Sequence, residues 1–274
     1  MQTKPTRPRP PASWARTREL LHQLSVREIS ESVKGSTLGV LWLVFSPLLS
    51  MTLYVIVFGL LFGGSFGQVE NESPLSYAIG IYIGLSVVNL VNETIVKSTN
   101  NLFNHSMLIK KVVFPLALLP VVQVTGTAFK LLINTSLWLL MGIFFGSVLG
   151  WQILFLPLIF LPLLAMALGL AALISSLSVY FRDIQQLTQV MTQIVFWSSG
   201  VFYSSQKVMQ VPQIWAVLKW NPVLLAIENI RDIVLWDLAP SLPQIGYLYL
   251  VGFFLLAIGF LVFNRLRSGF SDFL

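Results

Sequence analysis

The chain has 274 residues, of which 55% are hydrophobic and 10% are charged, with a net charge of +6 and no cysteine. A typical soluble domain carries about 25% charged residues, so this composition excludes a soluble globular protein and predicts one membrane domain. Without cysteine the chain has no disulfide and no thiol chemistry. The basic residues lie between apolar segments, which assigns the positive charge to membrane topology and not to nucleic-acid binding.

Residues 1–34 are predicted to form a cytoplasmic tail that ends in an amphipathic helix. Between Trp14 and Leu24 the apolar side chains share one helical face. Ser25 and Glu28 then have the spacing of a capping box, which predicts a new helix start. This region is expected either to lie in the inner membrane interface, with its Arg side chains at the phosphates, or to pack on a partner protein.

Six charge-poor segments are long enough to cross a membrane, which takes about 20 apolar residues. We predict spans at residues 41–62, 75–92, 121–145, 153–177, 188–204 and 243–263, which together form a transmembrane domain over residues 35–274. The predicted fold class is an all-α integral membrane protein with six transmembrane helices. Lys130 falls inside the third span, near enough to the inner surface for its side chain to extend to the interface.

The distribution of basic residues predicts the orientation of these spans. Thirteen of the 17 Lys and Arg residues fall in segments that are cytoplasmic if the N-terminus is inside. Because cytoplasmic loops carry an excess of Lys and Arg, both termini are predicted to be cytoplasmic.

The segment between the fifth and sixth spans, residues 205–242, is predicted to lie outside. It is too apolar for a solvated loop, and Asn221-Pro222 interrupts it. Apolar segments of about 10–14 residues are typical of re-entrant or interfacial structure. The segment is expected to form either two short re-entrant helices or a packed extracellular cap.

The sequence has no pattern that indicates an enzyme. His22 and His105 are far apart and have no ligand spacing around them, so no metal site is predicted. The chain has no catalytic constellation and no phosphate-binding G-x-x-x-x-G-K-[ST] loop. Ion-coupled transport usually needs ionisable groups within the spans, and no Asp or Glu is predicted at mid-span. Energy for active transport is therefore expected to come from another subunit.

The cytoplasmic loops offer a surface for such a subunit. Residues 100–111 carry short apolar clusters, and a helix there is predicted to expose an apolar stripe. The second inner hairpin contributes two charges. The candidate coupling residues are Asn100, Asn101, Leu102, Phe103, Leu108, Ile109, Lys110, Lys111, Arg182 and Asp183. Lys110 and Lys111 also fit plain positive-inside anchoring.

The first and fifth spans are rich in aromatic residues. Aromatic faces stack on sugar rings, and they also fill helix-packing and lipid-facing positions. The candidates for a sugar-contacting channel wall are Trp42, Phe45, Tyr54, Phe58, Phe196, Trp197, Phe202 and Tyr203.

Five segments in order resemble the permease subunits of ABC exporters for lipid-linked polysaccharides, the O-antigen and teichoic-acid exporter group. They are VKGSTLGVLWLVFSPLL (33–49), LIKKVVFPLALLP (108–120), FRDIQQL (181–187), WNPVLLAIENIRDIVLW (220–236) and NRLRSGFSDFL (264–274). Each motif alone is weak, but the ordered set covers nearly the whole chain.

The resemblance implies a six-span permease that works as a homodimer, each half bound to a separate ATPase subunit that holds ATP and Mg. It implies a coupling helix at Asn100–Lys111, an aromatic channel wall and two short periplasmic helices that flank Asn221-Pro222. The residues it assigns to the periplasmic gate are Trp220, Asn221, Pro222, Glu228 and Arg231. In the elbow before the first span, Gly35 and Gly39 are expected to allow the turn.

The predicted function is export of an O-antigen-type polysaccharide, linked to undecaprenyl diphosphate, across the bacterial inner membrane. Arg27 and Lys34 are the candidates for contact with the diphosphate. The alternatives are a capsule or teichoic-acid exporter permease, a drug exporter of similar architecture, and a membrane-embedded transferase that acts on a polyprenyl-linked sugar.

Overall fold

The structure is a computed structural model that describes residues 14–31, 39–61, 63–67, 73–106, 115–144 and 150–273. In these ranges all regular secondary structure is helical, which confirms the all-α prediction. The helices are α1 (Trp14–Glu31), α2 (Trp42–Leu61), α3 (Pro74–Asn104), α4 (Leu118–Phe144), α5 (Leu156–Tyr180), α6 (Ile184–Ser198), α7 (Ser205–Met209), α8 (Pro212–Leu218), α9 (Pro222–Leu235), α10 (Leu242–Leu266) and α11 (Phe270–Phe273). The last part of α2, Val55–Leu61, is π-helical.

Five helical segments are long and apolar enough to cross a membrane. They are Trp42–Leu61, Pro74–Asn104, Leu118–Phe144, Trp151–Tyr180 and Leu242–Gly269. The predicted fifth span, 188–204, corresponds to α6, which has only 15 residues and ends at Ser198. The count of six spans therefore stays a prediction. The helix that contains the second predicted span, α3, continues beyond residue 92 through Glu93 and Lys97 to Asn104.

The long helices alternate in direction, so the bundle has two ends that can be named by their residues. At one end a turn around Arg182 joins α5 to α6, and Leu102, Val179 and Phe263 form a buried cluster. We call this the Arg182 end. The opposite end holds α7, α8 and α9, and we call it the Arg231 end.

The helix α3 is the centre of the bundle. From Tyr77 to Val91 every residue except Asn89 is buried. The helix packs against α2, α4, α5, α6 and α9. In contrast, α2 has no fully buried residue: Tyr54 and Phe58 pack partly against the core, whereas Leu49 and Leu53 are exposed. The outward face of α2 therefore remains available to lipid or to a second chain.

The closest helix pair is α5 with α10, and glycines permit its close approach. A Cβ added to Gly259 would lie 2.1 Å from the carbonyl oxygen of Gly169, and one added to Gly252 would lie 2.5 Å from the carbonyl oxygen of Pro162. Small residues at such crossings let two backbones approach, and van der Waals packing then holds the helices together in lipid.

The N-terminal helix α1 is continuous and packs against α4. The predicted new start at Ser25 is wrong, because the helix passes through that residue without a break. Glu28 accepts a hydrogen bond from the Lys97 ammonium on α3 at 3.0 Å. Gly126 on α4 makes room for this arrangement, since a Cβ there would lie 2.8 Å from Cγ of Glu28. Placement of α1 in the membrane interface stays a prediction.

The turn before α2 contains a glycine with positive φ, at one of the two positions where the sequence predicts that glycine allows the turn. Gly39 has φ +52°, a left-handed conformation that glycine adopts without steric cost. Gly35 and Lys34 lie outside the described residues.

Arg231 on α9 is 1% exposed, and its part in an outer gate stays a prediction. Its Nε donates to the carbonyl of Gly80 at 3.0 Å, and Nη2 donates to that of Val201 at 2.7 Å. Its Nη1 donates to the carbonyls of Gly200 at 2.8 Å and Tyr203 at 3.4 Å. One guanidinium thus links α9, α3 and the segment after α6.

The chain around this guanidinium is shaped to present its carbonyls. Gly200 has φ +72°, which turns the backbone after α6 toward Arg231. The guanidinium carbon also lies 4.0 Å from the ring centroid of Phe66, in cation–π contact. The hydroxyl of Ser204 donates to the carbonyl of Phe66 at 2.6 Å. Arg231 therefore fixes the whole Arg231 end of α3 and α6.

We expect Gly259→Ala to destabilise the protein by about 1–3 kcal/mol, because its methyl group overlaps the backbone of α5 and overpacking has this cost. The matched control is Gly246→Ala on the same helix, where an added Cβ meets nothing within 4 Å. The measurement is thermal unfolding of the purified protein in lipid nanodiscs. Equal unfolding temperatures for the two variants would contradict the close crossing of α5 and α10.

We expect Arg231→Lys to destabilise the protein by roughly 3–5 kcal/mol, the range for breaking a buried charge network. A single ammonium has three donors at one point and cannot reach carbonyls that surround a planar guanidinium. Arg265→Lys, an exposed position on α10, is the control and should unfold like the wild type. If Arg231→Lys also unfolds like the wild type, the guanidinium does not hold this end together.

Candidate functional site

Six of the eight predicted channel aromatics come together near the Arg231 end. We call this group the aromatic cluster, and its members are Tyr54, Phe58, Phe196, Trp197, Phe202 and Tyr203. The ring of Phe202 lies 4.2 Å from that of Phe58, 5.0 Å from that of Tyr54 and 5.6 Å from that of Phe196, between centroids. Phe202 is only 9% exposed, so its faces are covered by protein. Packing with these rings accounts for its position.

Two members of this aromatic cluster lie at its edge. Trp197 is 60% exposed, and its ring centroid is 6.0 Å from that of Phe202. The hydroxyl of Tyr203 donates to the carbonyl of Trp197 at 2.7 Å, which closes the end of α6. Trp197 therefore has a free ring surface that the central members lack, and its part in a sugar path stays a prediction.

Trp42 and Phe45 lie apart from the aromatic cluster. Both are on α2, where they are 49% and 48% exposed. Trp42 also borders a cavity between α2, α3 and α4. The predicted channel aromatics thus divide into a packed cluster at the Arg231 end and two exposed rings on α2.

Between α6 and α10 the structure describes three helices, α7, α8 and α9, whereas the sequence predicted two short helices there. The additional helix is the short α7. The predicted break at Asn221-Pro222 is confirmed, because Asn221 caps α9 and accepts from the backbone N–H of Val223 at 2.9 Å. Its side-chain amide donates to the carbonyl of Ser198 at 2.9 Å. Asn221 therefore ties the start of α9 to the end of α6.

The other predicted gate residues divide between surface and interior. Trp220 is 60% exposed and stacks near Tyr247, whose hydroxyl donates to the Trp220 carbonyl at 2.8 Å. Glu228 accepts a hydrogen bond from the backbone N–H of Ser205 at the start of α7. Glu228 and Arg231 hold loop backbone, so any effect on a gate acts through the loops that they position.

A neighbouring carboxyl on α9, which is not among the five long spans, has a shifted pKa. Burial raises the pKa of Asp232 from 3.8 to about 6, and the Glu228 carboxylate adds to the rise while Arg231 opposes it. Because its pKa is higher in the folded protein than in the unfolded chain, protonation of Asp232 favours the folded state. Its contribution to stability is therefore largest below pH 3.8 and is lost as the pH rises through about 6.

The predicted coupling residues lie at the Arg182 end where the structure describes them. Arg182, Asp183 and Asn100 are exposed, and Phe103 is 36% exposed. Leu102 is fully buried, so its predicted place in an exposed stripe is wrong.

The burial of Leu102 has a clear cause, since it packs in the cluster at the Arg182 end with Leu119 and Phe270. Asn101 is 6% exposed, and its carbonyl contacts Nδ1 of His105 at 2.8 Å. Leu108, Ile109, Lys110 and Lys111 lie outside the described residues. Arg27, the described candidate for a diphosphate contact, is exposed on α1.

A polar cavity of about 250 Å³ lies between α2, α3 and α4, and the sequence interpretation missed it. Each helix lines it with residues spaced by three or four positions, which places them on one face. The polar lining residues are Ser46 and Ser50 on α2, Ser86, Asn89 and Glu93 on α3, and Thr127, Lys130 and Asn134 on α4. Asn89, the one exposed residue between Tyr77 and Val91, opens into this cavity.

An ion pair lies in the wall of this cavity. Lys130 Nζ is 2.9 Å from both carboxylate oxygens of Glu93. Glu93 lies about 16 Å along α3 from the end of the helix at Asn104, and its side chain is partly exposed. The Lys130 ammonium is therefore paired with Glu93, and its extension to the interface stays a prediction.

The polar spacing within the spans is the signal that could have revealed the cavity. Thr127, Lys130 and Asn134 repeat at three and four residues within an otherwise apolar helix. Polar residues inside membrane helices mostly face protein or a water-filled space.

The family of ABC-2 type transporters matches residues 19–235. The chain is 25% identical to the O-antigen export system permease protein RfbA of Klebsiella pneumoniae, over 93% of this chain and 95% of that protein. It is 23% identical to the O-antigen export system permease protein RfbA of Myxococcus xanthus, with the same coverage.

The family match extends over most of the described helices, from α1 to the end of α9. It agrees with a multi-pass bundle of long apolar helices and with the residues that resemble polysaccharide permeases. On this evidence the chain belongs to the family of ABC-2 type transporters.

Proposed function

We propose that this chain is the channel-forming transmembrane subunit of an ATP-driven exporter that moves an O-antigen-type polysaccharide across the bacterial inner membrane. The observation that carries this proposal is the similarity to O-antigen export permeases over 93% of the chain. The polymer is carried on undecaprenyl diphosphate. The chain itself catalyses no reaction, and a separate ATPase subunit binds ATP and Mg and hydrolyses the nucleotide.

The orientation follows from the charge distribution. With both termini in the cytoplasm, the Arg182 end faces the cytoplasm and the Arg231 end faces outward. The basic residues concentrate in the segments at the Arg182 end, which supports this orientation. Arg27 on α1 then lies near the inner membrane surface, where it contacts the diphosphate of the carrier.

The ATPase docks at the Arg182 end. The turn between α5 and α6 exposes Phe181, Arg182 and Asp183, and Phe181 is 62% exposed. An exposed aromatic side chain beside two charges is suited to a protein contact. Asn100 and Phe103 at the end of α3 belong to the same docking surface.

Two copies of the chain form the channel. The helix α2 has no buried residue, and α6 exposes a stripe of Leu187, Val190, Ile194 and Trp197, each at least 57% exposed. These residues recur at three- and four-residue spacing, as on a helix face that meets a partner. A second copy covers part of this surface, and the exposed aromatics of α2 and α6 face the polymer.

The decisive experiment is complementation of a strain that lacks the endogenous O-antigen permease and is supplied with this chain and its ATPase. We expect polymer at the cell surface only when both subunits are present. Arg182→Glu with Asp183→Lys should abolish export and release the ATPase, because the change reverses both charges of the docking surface. Lys219→Glu, an exposed charge reversal at the opposite end, is the control.

Surface polymer is measured with antiserum, and ATPase binding is measured by co-purification. No export from the wild-type pair would contradict the proposed function. Normal export and ATPase binding in the Arg182→Glu, Asp183→Lys variant would remove this turn from the docking surface.

The aromatic positions separate channel contact from packing. We expect Trp197→Ala to leave folded permease intact but to reduce export, since its exposed ring is available for stacking. Trp197→Phe should restore export, whereas Trp197→Leu should not. Phe202→Ala should instead lower the amount of folded protein, by about 3–5 kcal/mol in stability, because it opens a cavity in the aromatic cluster.

The measurement is surface polymer per folded permease for each variant. If Trp197→Leu exports as well as Trp197→Phe, the ring of Trp197 does not contact the sugar.

A further inference from the structure

The polar cavity between α2, α3 and α4 is a candidate binding site. We propose that it binds one uncharged sugar ring of the exported polysaccharide, and this rests on the proposed function. The cavity lies apart from the aromatic cluster at the Arg231 end, and its walls are the three helix faces that carry Ser46, Asn89 and Lys130.

The charge balance of the cavity argues against a phosphate ligand. Among the residues that the structure describes, Glu93 and Lys130 are the charged members of the lining, and their charges cancel. The Glu93 carboxylate already accepts a hydrogen bond from the Lys130 ammonium at 2.9 Å, and it would repel an anion that approached Lys130. A neutral ligand needs no net positive charge in the lining and is not repelled by Glu93.

The hydrogen-bonding groups of the cavity match sugar hydroxyls, which donate and accept at the same time. Ser86 donates its hydroxyl proton to the Tyr82 carbonyl at 2.7 Å, and Ser50 donates to the Ser46 carbonyl at 3.1 Å. Their oxygen lone pairs are then the acceptors that remain. A carboxylate supplies further acceptors, and an ammonium and a side-chain amide supply donors.

An aromatic ring borders the opening of the cavity. Trp42 is 49% exposed and forms part of the lining. The C–H-rich face of a sugar is complementary to the π face of an indole. Leu43, Pro47 and Leu90 complete an apolar wall, so the cavity combines one stacking surface with convergent polar groups.

The size of the cavity restricts the ligand to a small unit. Its volume of about 250 Å³ lies below the ~300 Å³ that marks the lower limit for drug-sized ligands. One sugar ring is therefore the appropriate unit, and a longer chain must continue through the opening.

A purely structural ion pair does not account for this arrangement. Lys130 and Glu93 keep 26% and 36% of their side-chain surface exposed. Lys130 lies within the predicted third span, and charges within membrane helices are costly and usually mark a pathway or a binding site. The pair between Lys97 and Glu28 holds α1 against α3, whereas the pair between Lys130 and Glu93 borders an open space that three helices line with polar groups.

The absence of native cysteine allows a direct test by thiol labelling. Ser46→Cys places a reporter thiol of similar size in the cavity, and Ser73→Cys, an exposed position at the other end, is the matched control. The complex of permease and ATPase is reconstituted in vesicles of phosphatidylethanolamine and phosphatidylglycerol, which contain no glycolipid or sugar detergent. The rate of maleimide labelling is then measured with each added compound.

The probes are galactose, mannose, rhamnose, N-acetylglucosamine and the host's own polysaccharide released by mild acid. At about ten times its dissociation constant, a bound sugar should slow labelling of Ser46→Cys by roughly tenfold. Labelling of Ser73→Cys should not change. Inorganic diphosphate and glycerol should protect neither position.

The ion pair is tested in the same reporter. Glu93→Gln with Lys130→Met should abolish protection by sugar, while Glu28→Gln with Lys97→Met should retain it. ATPase co-purification of each variant checks that the permease is folded. If the Glu93→Gln, Lys130→Met variant loses the ATPase, the single change Asn89→Ala replaces it and should also abolish protection.

Several results would overturn the inference. It fails if no probe slows labelling at Ser46→Cys, if diphosphate protects and the sugars do not, or if glycerol protects as well as the sugars. Export in the complementation assay is scored separately. Wild-type export without sugar protection refutes this site alone, whereas absence of wild-type export refutes the proposed function.

Discussion

A polar group inside an apolar helical bundle must find its partner within the chain, because lipid offers none. This constraint explains the two most conspicuous charged sites of the molecule. Arg231 satisfies its guanidinium with backbone carbonyls from α3 and from the segment after α6. Lys130 satisfies its ammonium with the carboxylate of Glu93. The first site fixes one end of the bundle, and the second borders its polar cavity.

The sequence alone predicts the helical class and most of the long helices. Apolar length and the absence of charge are local properties, so α2, α4 and α10 are visible without any tertiary information. The full length of a helix is harder to predict where charges lie within it. Glu93 and Lys97 lie inside α3, which continues to Asn104, and both charges have partners on neighbouring helices.

Contacts between distant segments could not be predicted in the same way. Gly80 and Arg231 are far apart in the chain, and neither segment has a local pattern that predicts the hydrogen bond from Arg231 Nε to the Gly80 carbonyl. Leu102 shows the reverse problem, since its local pattern fits an exposed helix face. Its burial depends on α10 and α11, which close over it through Phe263 and Phe270. Asn221-Pro222 was correctly identified because a cap followed by proline is a local signal.

The helix α3 connects the parts of the molecule that the proposed transport cycle must coordinate. Lys97 and Glu93 lie one turn apart on α3, and they pair with α1 and α4 respectively. On α4 the same turns hold Gly126, against which Glu28 packs, and Lys130 in the cavity wall. Two ion pairs and one close contact thus connect α1, α3 and α4 beside the cavity. At its other end α3 offers the Gly80 carbonyl to Arg231, so the same rigid helix also reaches the segment that holds the aromatic cluster.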